Sequence, residues 1–368
     1  MVYLIKHLLE GTGRNKGVSN MRRYLAMLAC AAGLIGLVPG MASARDLTIV
    51  AWGGVGQEAQ RAAFFEPYTK ATGMKILEDQ NPLLAKVRSM VESGNVTWDL
   101  LDQESAEAII GCEEGLFEKL DWSQIDKSKY AEHVHSDCGY GFYTAGNILA
   151  YDGDRFADNP PASWADFFDT AKYPGKRGLW NTPKGALEVA LMGDGVPAGD
   201  VYKVLRTPEG VDRAFAKLDS VKKDILLWSS GAEFLSRLAS GEYVMTYAWN
   251  GRIATTNATD KKNFRIAWDA GYTYVTDQLV IVKGSPNAAQ AMEYIKFIHQ
   301  HPELQAEYTR RTFYSSTSLA SLDHLSDDVK AQLPLIPDRL QHGVPVDDEF
   351  WVENLDSLTE RFNTWAAQ

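Results

Sequence analysis

The sequence predicts an α/β protein of two lobes, with a ligand cleft between them and hinge strands joining them. Three observations predict it. Strand and helix patterns alternate from residue 46 to residue 114. A second alternating set begins after the polar break Asp152-Gly153-Asp154. Apolar, extended stretches at 145–151 and 275–282 stand where the chain would pass between the two sets. A cleft between such hinged units is a natural place for a small ligand. Composition agrees: of 368 residues, 45% are hydrophobic and 23% charged, which suits an ordinary packed core and not a disordered chain.

Taken in order, residues 46–52 are a β-rich run that ends in Gly53-Gly54-Val55-Gly56. Residues 57–72 carry apolar positions at helical spacing and stop at Gly73. Strand 74–77, helix 83–93, strand 98–102 and helix 105–114 follow, the last ended by Gly115. In the second set, Ser163-Trp164-Ala165-Asp166 reads as an N-capped helix start. Strand 178–180, helices 186–192 and 208–221, strand 225–228, helix 231–240 and strand 242–249 come next. Strand 275–283 ends in Gly284-Ser285-Pro286, and 287–299 is a strongly periodic helix.

The N-terminus reads as an address. Met21-Arg22-Arg23 is a positive start, residues 24–39 are apolar or small, and Ala42-Ser43-Ala44 fits a signal-peptidase site. Residues 1–44 are therefore expected to be a secretory signal peptide cut after Ala44, with the mature chain starting at Arg45. A single apolar stretch excludes a multi-span membrane protein. That segment carries five Lys and Arg against Glu10, so its removal takes the net charge from −11 to −15. So acidic a chain lacks the basic field of a nucleic-acid binder, and no nucleic-acid partner is expected. Cys30 leaves with the signal. Cys112 and Cys138 remain, and two cysteines in an oxidising compartment read as one disulfide.

The chemical motifs are mostly exclusions. Gly53-Gly54-Val55-Gly56 lacks the G-x-G-x-x-G spacing, and no G-x-x-x-x-G-K-[ST] occurs, so no nucleotide cofactor is expected. The loop reads instead as a tight strand-to-helix turn that presents Trp52 to the cleft. His133, His135, Asp137 and Cys138 lie close together, but no second cluster adjoins them and a disulfide-bonded Cys138 cannot ligate, so no metal is expected. Neither G-x-S-x-G nor H-E-x-x-H is present, and no catalytic residue is assigned. An enzyme on the same fold would need a constellation the sequence does not display. Ten Trp and 16 Tyr exceed what a core needs. Trp52, Tyr143, Trp249, Tyr274, Tyr314 and Trp351 fall at strand ends or loops and suggest aromatic walls for an amine or an aliphatic stem.

Six stretches in sequence carry a resemblance: Val50-Ala-Trp-Gly-Gly54, the run Phe-Phe-Glu-Pro-Tyr-Thr-Lys-Ala-Thr-Gly at 64–73, Trp98-Asp-Leu-Leu101, Ser163-Trp-Ala-Asp166, Gly241-Glu-Tyr-Val-Met-Thr-Tyr-Ala-Trp-Asn-Gly251 and Thr276-Asp-Gln-Leu279. Together they resemble the periplasmic solute-binding proteins of ABC importers, specifically the spermidine/putrescine-binding branch, over nearly all of residues 46–368. The resemblance implies a type II-like two-lobe periplasmic binding protein, with 45–150 and 278–325 in lobe 1 and 151–277 and 326–368 in lobe 2. It implies a monomer in the periplasm, without turnover of its own, that captures a polyamine or related small amine and presents it to an inner-membrane ABC permease. By the same resemblance Trp52 and Trp249 wall the cleft, Asp277 pairs with a ligand ammonium, Glu188 binds amine and Tyr314 lines the cleft.

The chain also departs from that branch. Gly185 stands where the branch has a further acidic residue, three positions before Glu188. The loop after the third strand reads Gln103-Glu104-Ser105-Ala106, which offers Glu104 as a cleft carboxylate. Arg252 follows Trp-Asn-Gly, a fixed cation in what should be a cation site. Two readings of it compete. Arg252 either neutralises Asp277, Glu188 or Glu104 and leaves a polyamine site, or it clamps the carboxylate of an ω-amino acid such as 4-aminobutyrate whose amine meets Asp277.

Overall fold

The computed structural model describes residues 45–368; the expected signal segment, with Cys30, lies outside the described residues. The described strands are β1 (Leu47–Ala51), β2 (Ile76–Gln80), β3 (Leu100–Glu104), β4 (Gly139–Asp152), β5 (Arg177–Trp180), β6 (Ile225–Trp228), β7 (Met245–Trp249), β8 (Phe264–Ile266), β9 (Tyr272–Ile281), β10 (Ser315–Ser316) and β11 (Gly343–Pro345). They form one mixed sheet in the order β2-β1-β3-β9-β4-β7-β5-β6, with β8 and β10 on β4 and β11 on β9. The helices that bear on the site are α1 (Gly54–Gln60), α2 (Ser105–Glu113), α3 (Pro183–Gly193), α4 (Asn250–Asp260), α5 (Pro302–Thr312) and α6 (Asp348–Ala367).

The two ends of the sheet are parallel, as alternating strands and helices require: β1 pairs with β2 and β3, and β5 pairs with β6 and β7. The middle is antiparallel, where β9 runs between β3 and β4 and β4 meets β7. Strands β4 and β9, 14 and 10 residues long, are the extended segments expected as hinges. They join two parallel α/β lobes, so the expectation of a parallel sheet holds within each lobe and fails at the junction. Strand β1, Leu-Thr-Ile-Val-Ala, is buried along its whole length, the unbroken apolar run that a parallel strand covered on both faces needs.

Two strands lie further along the chain than their patterns suggested. Strand β2 starts at Ile76 because its register is set by β1, where Leu47 pairs with Ile76, and it continues through polar Glu78-Asp79-Gln80 at the sheet's edge. Strand β3 starts at Leu100, directly after Asp99. Its carboxylate accepts from Arg45, the Thr48 amide, Ser285 and Asn287 at 2.6–3.0 Å. The shift carries β3 on to Glu104. Helix α6 had no counterpart in the sequence reading. Asp347 caps it by accepting from the Phe350 amide at 3.0 Å, and it buries Phe350, Trp351, Leu358, Phe362 and Trp365.

Cys112 in α2 and Cys138, just ahead of β4, are joined as a disulfide across 26 positions of sequence. The cross-link restricts the unfolded chain and is worth about 3 kcal/mol on the loop-entropy account. Thiol labelling of denatured, unreduced mature protein should find neither cysteine free, and reduction should lower the melting temperature by several degrees; two labelled thiols would refute the link. With Cys138 bonded, His135 is structural: its Nδ1 accepts from the Gly141 amide at 2.9 Å, and burial lowers its pKa to about 4, while His133 is exposed. No helix of the described residues is long and apolar enough to cross a membrane.

Candidate functional site

A cavity opens where the hinge strands meet the ends of β1, β3 and β7. It is narrow and partly open to solvent. Register decides which side chains face it. Glu104 on β3 lies opposite Asp277 on β9, and Asp277 lies opposite Tyr143 on β4, so these three form a row across adjacent strands. Trp52 and Trp249 stand at the ends of β1 and β7, with Gln57 and Gln60 of α1, Arg252 of α4 and Tyr308 of α5 around them. Tyr314 closes one wall, stacked on Tyr143 with ring centroids 5.0 Å apart.

The acidic end is a pair of buried carboxyls. Asp277 Oδ2 accepts from Trp52 Nε1 at 3.0 Å and from the Tyr143 hydroxyl at 2.6 Å. The same hydroxyl lies 3.2 Å from Asp102 Oδ2, which accepts from Gln60 Nε2 at 2.7 Å. Asp102 Oδ1 is buried with no hydrogen-bond partner among the described residues. Burial pushes Asp102 up to about 7, against the pull of its hydrogen bonds with Asp277, Gln60 and Tyr143. Burial and the neighbouring charge of Asp102 push Asp277 well above the usual carboxylate range. Both shifts favour a protonated pair when no cation stands beside it.

The basic end is Arg252, 4% exposed. Its Nη2 donates to the Gly53 carbonyl at 2.8 Å, while Nε is buried without an acceptor. Among the described residues no carboxylate forms an ion pair with it. The glycines in the first turn of α1 make room for this guanidinium. Gly54 holds φ +57, and a Cβ there would sit 3.0 Å from Arg252 Nη1; at Gly56 it would sit 3.1 Å from Nη2. Burial raises Tyr314 to about 12 against the pull of Arg252 and with the push of Asp277, which places its hydroxyl under both ends of the site.

Trp52, Glu104, Trp249, Arg252, Asp277 and Tyr314 thus line one cavity, as the sequence suggested. Glu188 does not. It is fully buried in α3, where Oε2 accepts from the Gly185 amide at 2.7 Å and Oε1 from the Tyr202 hydroxyl at 2.8 Å and Trp351 Nε1 at 2.9 Å. Trp351 is therefore a core residue and not a wall. Tyr274, on β9, lies outside this cavity, in a separate depression with Val346 and Asp348. Glu104 reaches the cavity but is not free: Lys184 Nζ stands 2.5 Å from its Oε2. Arg252 neutralises neither Asp277 nor Glu104 nor Glu188. Gln57, Gln60, Tyr308 and the inner carboxyl Asp102 were not singled out from sequence. Asp102 and Glu104, two apart on one strand, share a face, the signal that would have found Asp102. Among the described residues, no group of three or more His, Cys, Asp or Glu is placed to hold a metal.

This arrangement has known relatives. Residues 63–335 match the family model for bacterial extracellular solute-binding proteins. A γ-aminobutyric acid-binding protein of Pseudomonas aeruginosa is 40% identical over 338 residues, covering 91% of this chain and 95% of that one. A solved GABA receptor structure is 34% identical with a TM-score of 0.77, covering 88% of this chain and 98% of its own. The A. tumefaciens binding protein MotA, solved with glucopine, is 30% identical with a TM-score of 0.82, covering 87% and 99%. A Listeria monocytogenes spermidine/putrescine transporter protein is only 18% identical, with a TM-score of 0.69, a likeness of fold alone. The expected branch is thus a distant neighbour and the amino-acid binders are nearer. With two lobes, hinge strands and a cavity at their junction, the chain belongs to the family of bacterial extracellular solute-binding proteins.

Proposed function

We propose that this protein is the solute-capturing component of an ABC importer and that its solute is a small zwitterion of the 4-aminobutyrate class. One observation carries the reading: a buried guanidinium without a carboxylate partner faces the same cavity as the buried carboxyl of Asp277, behind which Asp102 stands. A buried charge left alone is costly, so Arg252 calls for an anion and Asp277 for a cation. Trp52 and Trp249 flank the space between and suit a short methylene stem. The binding partner of the 40% identical relative supports the same class. A polyamine fits less well, because its second ammonium would meet Arg252 while Glu104 is already engaged by Lys184. In this reading 45–150 with 278–325 and 151–277 with 326–368 are the lobes that close on the solute. The closed form is then recognised by the permease on the periplasmic side of the inner membrane.

Calorimetry of the mature protein against 4-aminobutyrate, butyrate and putrescine tests it. Binding of 4-aminobutyrate is expected, with each of the other two at least about thirtyfold weaker, since each loses one charge pair of roughly 2 kcal/mol or more. Putrescine binding as tightly as 4-aminobutyrate, or no binding of any of the three, would overturn the reading.

A further inference from the structure

Lys184 carries a buried charge that the cavity itself does not display. Its side chain is 5% exposed, and Nζ stands 2.5 Å from Glu104 Oε2 and 2.5 and 2.7 Å from the two carboxylate oxygens of Glu107. Glu104 lines the cavity; Lys184 does not. The ammonium thus reaches Glu104 from behind the wall and occupies it there.

A local device aims it. The first turn of α3 is not helical: Lys184 has ψ 123 and Gly185 has φ 87. Only glycine fits the second position, because a Cβ there would lie 2.5 Å from the Tyr247 hydroxyl at a φ that side chains resist. Glu188 pins the turn through the Gly185 amide and is itself held by Tyr202 and Trp351. This accounts for a fully buried carboxylate that neither touches the cavity nor meets a cation: it fixes the backbone that points Lys184 at Glu104.

We propose that Lys184 is a specificity-determining residue, which cancels the charge of Glu104 so that the acidic end of the cavity is matched to one ammonium and not to two. The proposal rests on the zwitterion reading of the site. Glu104 and Asp277 lie opposite each other on adjacent strands and face the same space. With Lys184 in place, Asp277 is the carboxylate left for a ligand cation, and Arg252 balances the far end. Without Lys184, Glu104, which burial raises to about 8 even beside that ammonium, is released to meet a second ligand cation, which favours a dication over a molecule of zero net charge.

The experiment is competition calorimetry of 4-aminobutyrate and putrescine on three proteins: wild type, Lys184→Met, and Lys184→Met with Glu104→Gln. The wild-type arm alone tests the zwitterion reading. In Lys184→Met the preference for 4-aminobutyrate over putrescine should fall at least tenfold. In the double variant, where the charge is balanced again, it should return to within about threefold of wild type. If Lys184 served only to pack or to hold the lobes, both ligands would weaken together and the second substitution would rescue nothing; that result, or an unchanged preference, overturns the proposal. Should Lys184→Met not fold, Glu104→Gln alone still decides. It leaves Lys184 paired with Glu107 alone, takes one carboxylate from the cavity wall and should move the preference the other way, against putrescine, and a shift toward putrescine would refute the charge argument.

Discussion

Replacing Arg252 with methionine should weaken 4-aminobutyrate binding by about two orders of magnitude and leave the ligand-free protein as stable as before, or more so. The two halves of this expectation have one cause. The guanidinium is buried, donates to the Gly53 carbonyl at 2.8 Å and to Tyr314, and has an Nε with no acceptor and no carboxylate partner among the described residues. Such a charge costs free energy until a ligand carboxylate meets it, so an apolar side chain of similar length relieves the ligand-free protein. The bound form then loses a buried charge pair, typically about 2–5 kcal/mol, or thirtyfold to several thousandfold in affinity. Arg252→Lys should fall between, since an ammonium keeps the charge but cannot hold both carboxylate oxygens in a plane. Calorimetry and thermal melts of both variants check this. Binding within threefold of wild type would show that Arg252 does not meet the ligand. A large fall in ligand-free melting temperature would assign it to the fold.

The lobes were legible because alternation of strand and helix is a local signal, and so were the two hinge strands, whose apolar runs stand outside that alternation. The antiparallel pairing of β4 with β9 was not, because a strand's partner across more than a hundred residues leaves no trace in its own pattern. The same limit governs the site. Trp52, Trp249 and Arg252 could be placed because each lies at the end of a strand or shortly after it. Glu188 was misplaced because the offset from Gly185 says nothing about the φ of +87 that turns the start of α3 and sends Lys184, not Glu188, toward the cavity. Lys184 itself sits in an unremarked Thr-Pro-Lys-Gly, and only the fold shows that two glutamates converge on it. Asp102 was missed by a boundary: with β3 drawn to end at 102, Glu104 no longer shared a strand face with it.

The carboxyl pair carries the other large effect. Asp277→Asn should weaken 4-aminobutyrate binding a hundredfold or more, and in the wild type affinity should rise with pH through neutrality. The sign follows from the proton the pair holds. With Asp102 lifted to about 7 by burial and Asp277 lifted by burial and by Asp102, a proton must leave before an ammonium can take its place. Acid therefore opposes binding, by at most about tenfold per pH unit, and the gain levels off above the pKa of the pair. The ligand's own amine and carboxyl, near 10.4 and 4.3 in ordinary settings, stay charged through this window. Around the pair, Tyr143, Gln60 and Trp52 donate hydrogen bonds, Glu104 adds like charge, and Lys184 and Arg252 are the nearby cations. Calorimetry near pH 7 in phosphate and in Tris should therefore reveal release of up to one proton per ligand bound. Asparagine at 277 still accepts from Trp52 and Tyr143, so the fold should survive, but it offers no charge and has no proton to release; the residual binding should depend less on pH than in the wild type, with Asp102 and Glu104 left to titrate. An affinity that falls as pH rises, or binding without proton release, would mean that the two carboxyls do not share a proton and that the ammonium is taken elsewhere in the cavity.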